Sequence, residues 1–453
     1  FILMSKSVRI RRGLNINLSG EADKVYASVK KDKIFALKPT DFHNLTPKLT
    51  VKVGDSVKAG TVIFYDKYNE SIKFCSPVSG EILDIVRGAK RRILEVTIKS
   101  NEDIEYETIP KLKSDNLSRE QIIDFMLKHG VWPFIRQKPY DIIANPSDMP
   151  KSIFISAFKS GPLAIDNDFA LYGLDELFQK GLDLIVKLSN GKTHLNLDGN
   201  TNSSKVFSNA KGVEINKFSG PHPAGNVGVQ VHHIDPVNKG DIIWYLEPQD
   251  VIVIARLFTE GKYDVSRIIS LCGSEVIRPR YYRTISGSCV SNLVNDNVKG
   301  DNNRIICGDV LSGNKIEKDG YLGFYDTQLT IIKEGNEQEF LGWILPGVNK
   351  FSLSRSYFSW LFPTKKFEID TNMRGEERAY VVTGQYEKVL PMDIYPQQLI
   401  KAIMIEDIDL MEKLGLYEVS PEDMALCEFV CTSKIEVQSL IRHGLDLLIK
   451  ENS

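Results

Sequence analysis

Side chains able to bind metals or act as nucleophiles gather at two places in this chain. His222, His232 and His233 fall within twelve residues, beside a loop rich in glycine and proline, SGPHPAGNVG at 219–228. Imidazoles hold zinc-like ions only when several converge on one point. Flexible loop separates His222 from the other two, and adjacent His232 and His233 point to opposite faces if the segment is extended. Cys427 and Cys431 form a Cys-x3-Cys pair, one turn apart on a helix. Two thiolates do not complete a tetrahedral site, and neither a third nearby cysteine nor a suitably spaced histidine accompanies them. No metal site is expected. The loop itself has the composition found where backbone closely approaches a ligand or another domain.

A different chemistry attaches to Lys67. The stretches VKVGDSVKAG (51–60) and SPVSGEI (76–82) read as the body of a lipoyl/biotinyl-type β-barrel, with Gly54-Asp55 and Ala59-Gly60 supplying tight turns. In true carriers a lysine on the hairpin between the halves takes a covalent cofactor, and Asp66-Lys67 stands at about that place. Against modification, Tyr68-Asn69-Glu70-Ser71 lengthen the turn, whereas a modified lysine needs a tight tip. A solvated, unmodified Lys67 is the expectation.

Length and charge set wider bounds. At 453 residues the chain exceeds one core, and about three domains are expected. A formal charge of -2, with no basic tract, removes the pull that nucleic-acid binding needs. The longest apolar runs, at 182–186 and 251–255, fall far short of the ~20 residues of a membrane helix. Residues 1–4 are read as a vector-derived remainder: Phe1-Ile2-Leu3 precede Met4 and lack the regions of a secretory signal. The six cysteines, which include Cys75, Cys272, Cys289 and Cys307, have no disulfide-framework spacing and fit a reducing compartment. A cytosolic setting follows.

Five stretches position these residues. Residues 5–110 alternate short apolar strands with turns and predict the barrel. Ser118 and Gln121 form a capping-box signal for a helix ending near His129, at Gly130. It opens an α/β layer at 111–255, with a strand at 152–157, a helix near 171–181 and a second buried strand at 182–188. No Gly-x-Gly-x-x-Gly follows any of these strands, so the layer is Rossmann-like without its fingerprint. Residues 256–340 are β-rich, with turns at Gly273, Gly287, Gly308, Gly313 and Gly320, and read as a β-grasp (SLBB-like) domain. An aromatic connecting segment fills 341–395; within it Tyr357, Phe358, Trp360, Leu361 and Phe362 crowd beside Arg355, Lys365 and Lys366. Residues 396–453 predict a helical bundle: a helix over 397–414 ended by Gly415, a helix start at Ser420-Pro421, and a last helix over 440–450. The fold class is thus multidomain α/β (α+β).

That domain order resembles the NADH-binding subunit of respiratory complex I and the C subunit of the Rnf complex. Several phrases resemble a closer family more: GVWPFIR (130–136), GPHPAG (220–225), HIDP (233–236), GSEV (273–276) and GVNKFS (347–352) look like the A subunit of the sodium-translocating NADH:quinone oxidoreductases. The likeness covers nearly the whole chain from Met4. It implies a peripheral subunit on the cytoplasmic face of the bacterial inner membrane, in a complex that oxidises NADH, reduces ubiquinone and exports Na+. In the NADH-binding subunit of complex I, flavin is cradled by a glycine-rich loop and an iron-sulfur cluster is held by cysteines. Here Val131-Trp132-Pro133-Phe134 take the loop's place, and their bulk fills rather than opens a flavin slot; Cys427 and Cys431 fall short of a cluster's four thiolates. The resemblance implies flavins and an iron-sulfur centre in partner subunits only, and quinone as the ligand of this chain.

A quinone needs an apolar slot and one or two donors for its carbonyl oxygens. Trp132, Phe134 and Ile135 offer apolar surface; Arg136 and either His222 or His232 offer donors; Phe35 and Lys38 are weaker candidates. No catalytic residue is assigned. The rival expectations are a purely structural subunit that docks through residues 351–366, a carrier modified at Lys67, and an active flavoenzyme.

Overall fold

The computed structural model of the protein describes residues 6–28, 32–336, 339–342 and 344–452. The expectation about residues 1–4 lies outside them. In the barrel, Ile63, Phe64, Phe74, Val78, Ile82, Val96 and Ile98 are buried until almost nothing of them is exposed. Two antiparallel sheets close around them. One runs Ile34–Leu37, Ile93–Ser100, Gly80–Arg87, Ser56–Val57, and the other Pro47–Leu49, Val62–Asp66, Asn69–Cys75.

The expected lengthening of the hairpin at Lys67 is not found. Asp66 pairs with Asn69, which leaves Lys67-Tyr68 as a two-residue tip, while Asn69, Glu70 and Ser71 belong to the following strand. Asp66 Oδ1 accepts the Tyr68 N–H at 3.2 Å and the Lys67 N–H reaches the Thr46 carbonyl at 2.8 Å, bonds that hold the turn tight.

The helix Arg119–Lys128 carries the predicted capping box of Ser118 and Gln121. Past its end, Gly130 has φ +72, and a Cβ there would lie 2.3 Å from Cys75 Sγ, so a glycine is needed for the chain to turn against the barrel wall. Beyond it, a seven-stranded sheet runs Ser7–Arg9, Glu214–Ser219, Lys192–Asp198, Ser152–Ser156, Ile243–Leu246, Arg136–Lys138, Ile142–Ile143. The first five are parallel and the last two join antiparallel.

The strand expected at 182–188 is instead the end of the helix Asp175–Ile185 and a 3-10 turn. Phe178, Gly181, Leu182 and Ile185 share its buried face. A short apolar run carries no period of its own, and neighbours N-terminal to it decided the outcome. Gly181 lets this helix meet Pro248–Glu260, because a Cβ there would come within 2.5 Å of Val251. Pro248–Glu260 also runs through the division drawn at 255/256.

The third sheet, in the order Asn314–Ile316, Asn303–Cys307, Gln328–Lys333, Ser266–Cys272, Arg280–Ile285, Asp23–Ala27, is the β-grasp unit. Two strands grouped with the barrel in the sequence division therefore belong elsewhere: Ser7–Arg9 extends the α/β sheet and Asp23–Ala27 the β-grasp sheet. In the bundle the helix expected over 397–414 is two, Pro396–Met404 and Ile408–Lys413. Glu406 adopts φ +55 between them, and Asp407 caps the second by accepting the Leu410 N–H at 3.0 Å. Ser420 begins a 3-10 turn with a capping box to Asp423, and the last helix is Val437–Glu451.

Alternate residues of the α/β sheet face two separate cores. Ile153, Ile155, Leu195 and Trp244 pack with the barrel and with helices 175–185 and 248–260, while Phe154, Ile243 and Tyr245 pack with the bundle. On the bundle side lies an ion pair, Lys138 Nζ to Asp423 Oδ2 at 3.4 Å, with side chains 2% and 0% exposed. The same carboxylate oxygen accepts the Ser420 hydroxyl at 2.7 Å. Taking away one member strands the other charge in a dry interface. Lys138→Met is expected to cost about 3–5 kcal/mol and to lower the thermal midpoint, whereas Lys138→Met with Asp423→Asn recovers most of the loss. Equal destabilisation by the single and double variants would contradict this account.

Candidate functional site

Ser152–Ser156 is where the connections of the sheet reverse. The chain leaves it to build Lys192–Asp198 on one side, and later returns to build Ile243–Leu246 on the other. Loops leaving the C-terminal ends of two such strands diverge and leave a crevice, the usual ligand position in open α/β sheets. A cavity of about 190 Å³ lies there. Its walls come from the loop after Ser156, from Tyr245 and Glu247, from the 222–227 stretch, from the β-grasp unit at Asp309 and Tyr325, and from the bundle at Glu422.

The two loops forming its floor approach at van der Waals limits. A Cβ on Gly225 would lie 2.5 Å from the Ser160 nitrogen. The Gly225 N–H donates to Ser160 Oγ at 2.7 Å, and Ser160 Oγ lies 3.0 Å from His222 Nδ1. With Ser160 donating, the imidazole proton sits on Nε2. Burial lowers the pKa of His222, against the opposing pull of Asp309 and Asp423, and keeps the ring neutral near pH 7.

Charge in the crevice centres on Glu247, the N-cap of the helix Pro248–Glu260. Its Oε1 accepts from Lys159 Nζ at 2.7 Å and lies 3.5 Å from Arg136 Nη2. Burial acts to raise the pKa of Glu247, but Lys159 and Arg136 outweigh it and hold the group below the ordinary carboxylate value. The Arg136 guanidinium is sandwiched between the rings of Tyr245 and Tyr325, 4.5 Å from each. Tyr325 in turn donates to the Pro133 carbonyl at 2.6 Å. The crevice thus offers cationic and neutral N–H donors, an arrangement able to receive a ligand bearing acceptor oxygens.

Of the five residues singled out in the sequence, two meet here, Arg136 and His222. Trp132 and Phe134 are fully buried in the adjoining core and line no part of the crevice. Trp132 donates to the Ala144 carbonyl at 2.7 Å and packs edge-on to Trp244, and Phe134 stacks on Phe324 at 4.6 Å. His232 is elsewhere. It and His233 lie on the helix Val227–Ile234 rather than in extended chain; its Nδ1 is 2.5 Å from Glu418 and its Nε2 accepts the Asp393 N–H, so it ties that helix to the bundle. Phe35 is buried in a barrel strand, and Lys38 is held by the Tyr321 carbonyl and Asp41. Sequence reading missed Lys159, Ser160, Tyr245, Glu247 and Tyr325. The available signal was Lys159-Ser160-Gly161 just after the central strand, and Glu247 just before a helix-starting proline.

With this geometry in view, three stretches match known domain families: 8–101 the NqrA N-terminal barrel-sandwich hybrid domain, 117–263 the NqrA second alpha/beta domain, and 268–318 the NQRA C-terminal domain. Barrel, crevice-bearing α/β layer and β-grasp unit together are thus the architecture of an NqrA-type protein. Over 447 residues the chain is 38% identical to the A subunit of the Na(+)-translocating NADH-quinone reductase of Pasteurella multocida, covering 98% of this chain and 100% of that one. The corresponding proteins of Saccharophagus degradans, 37% identical over 449 residues, and Histophilus somni strain 2336, 38% over 447, are covered to the same extent. The chain belongs to the family formed by the A subunits of the Na(+)-translocating NADH-quinone reductases. A chain of an NAD+-reducing [NiFe]-hydrogenase aligns loosely, with TM-score 0.39 and 11% identity over 75% of this chain and 62% of that one.

The Glu247 network has a definite acid signature. Its folded pKa lies below the ordinary value of 4.5, so its stabilisation is present above that value and is lost as pH falls through the folded pKa. Glu247→Gln leaves Arg136 and Lys159 facing each other and should cost about 2 kcal/mol near neutral pH. Thermal melts from about pH 7 to about pH 3 should show the gap between wild type and variant closing at the acid end; a gap independent of pH would refute the assignment.

Proposed function

We propose that this chain is a peripheral subunit on the cytoplasmic face of the bacterial inner membrane, within a complex that oxidises NADH, reduces ubiquinone and exports Na+. In this reading it contributes a quinone site and carries no redox centre, the flavins and iron-sulfur centre belonging to partner subunits. The observation that carries it is the switch-point crevice. Arg136, Lys159 and His222 offer N–H donors for carbonyl oxygens, and Ala164, Val227 and Leu311 offer apolar contact for the ring. Family membership supports the assembly, since the relatives are named as subunits of a Na(+)-translocating NADH-quinone reductase.

Support for the absence of a redox centre comes from the residues themselves. The turn after the central strand is AFKSG, without the glycine spacing that cradles a dinucleotide. Cys427 and Cys431 are buried around Tyr386, whose hydroxyl lies 3.1 Å from Cys431 Sγ. Among the described residues no helix is long and apolar enough to cross a membrane.

One observation favours a second reading. Lys67 stands exposed at a two-residue hairpin tip of a barrel-sandwich domain, the place where carriers are modified. Intact mass of the protein from its native host decides this one, because an unmodified mass removes the carrier.

The main reading is tested by calorimetric titration of the purified chain with a one-isoprene ubiquinone. Saturable binding in the micromolar range is expected, about 8 kcal/mol, weakened by about tenfold or more in Arg136→Gln. A lack of saturation, or equal affinity in a folded Arg136→Gln chain, would overturn it.

A further inference from the structure

One turn of the connecting segment is built inside out. The 3-10 turn Phe358–Leu361 buries its single polar residue, Ser359, whose hydroxyl donates to the Lys350 carbonyl at 2.5 Å. Phe358, Trp360 and Leu361, with Phe362 after them, each stand about half exposed. Ile344 and Leu345 are exposed as well, and they lie alongside, because the Phe358 N–H donates to the Pro346 carbonyl at 2.9 Å. Six large apolar side chains thus share one patch. Apolar residues scattered singly over a surface need no explanation, whereas a contiguous patch marks a face that something else covers.

The patch is fastened to the fold. Gly347 has φ +61, and a Cβ there would collide with the Tyr357 ring, so the two limbs of the segment meet at close range. The Phe367 N–H donates to the Asn17 carbonyl at 2.7 Å and ties the far limb to the N-terminal segment. Charge around the patch is one-sided. From 340 to 367 the sequence holds four cations and no Asp or Glu, in a chain whose formal charge is -2. Lys350 pairs with Glu339, and Lys366 with Glu21 at 3.2 Å. The other two have no counter-ion among the described residues. Arg355 lies over the Trp360 ring at 5.8 Å, and Lys365 Nζ donates to the Val348 carbonyl at 3.1 Å and to Asn349 Oδ1 at 2.5 Å, both neutral acceptors.

We propose that this patch seats on an anionic lipid bilayer, with Phe358, Trp360, Leu361 and Phe362 entering the interface and Arg355 and Lys365 lying over the headgroups. An apolar centre rimmed by unopposed cations complements a surface that is negative at its face and apolar beneath, and aromatic rings beside basic residues suit the boundary between water and lipid. A single 3-10 turn carries the rings, so they reach the boundary of headgroups and acyl chains and go no deeper. The proposal rests on the peripheral-subunit reading and names the face and the lipid class it would use; it is independent of the quinone reading.

Co-sedimentation of the full chain with vesicles tests it, one set made of phosphatidylglycerol and phosphatidylcholine in equal parts and one of phosphatidylcholine alone. Wild type should pellet with the anionic vesicles and bind the neutral ones about tenfold more weakly. Trp360→Ser with Phe362→Ser, both at exposed positions, should lose about tenfold or more in affinity for the anionic vesicles. Arg355→Gln with Lys365→Gln should lose about as much and, unlike the aromatic variant, bind both sets alike. Thermal melts matching wild type establish that both variants are folded. The inference is overturned if wild type stays in the supernatant with anionic vesicles, if the aromatic variant pellets as wild type does, or if the charge variant keeps its preference for anionic lipid. A pull-down through a tagged membrane-embedded subunit separates the alternatives. Capture of wild type but not of the aromatic variant, with no binding to vesicles, assigns the patch to a protein and overturns the inference; failure to capture wild type at all removes the subunit reading and leaves the vesicle result standing.

Discussion

A strand buried on both faces must satisfy every backbone group within its own sheet and point every side chain into a core. Ser152–Ser156 meets that demand, with parallel partners on both sides and all five residues buried. The geometry downstream depends on it. Since the strand cannot tilt or slip without unmaking two cores, the loops that leave it and its neighbour Ile243–Leu246 start from fixed points. The crevice is the space they fail to fill. Its chemistry comes from what those fixed points deliver: Lys159 three residues past one strand, Glu247 one residue past the other, and Arg136 from the antiparallel strand beside them.

The same constraint accounts for the fate of the aromatic residues at 132–134. Trp132 and Phe134 enter the core, where Trp244 and Phe324 meet them. The turn carries its two aromatic rings away from the crevice, while Arg136, at the start of the next strand, faces into it.

Much of this was legible in the sequence. Domain types and order could be read because barrel turns, capping boxes and glycine stops are local signals. Arg136 and His222 were within reach because they lie in phrases that also carry the family likeness. Lys159, Tyr245 and Glu247 were not, since their proximity depends on strand order, a long-range property absent from any local window. The run at 182–188 misled because a buried helix end and a buried strand share one composition. The hairpin at Lys67 misled differently: residues 69–71 are polar enough to resemble a loop, yet they pair as strand, held by backbone bonds that side-chain type does not report.

The N-terminal segment has a bearing on how the protein is made. Among the described residues Ser7–Arg9 pairs only with 217–219 and Asp23–Ala27 only with 280–282, so both strands wait for partners encoded hundreds of residues later. During synthesis at ~5–20 residues per second, that segment emerges tens of seconds before either edge exists to receive it. Ser7–Arg9 can take its place once 217–219 are made, and Asp23–Ala27 only once 280–282 follow. Two strands made ahead of the barrel thus reach their places after the barrel can close, and their edges stay unpaired for the whole interval.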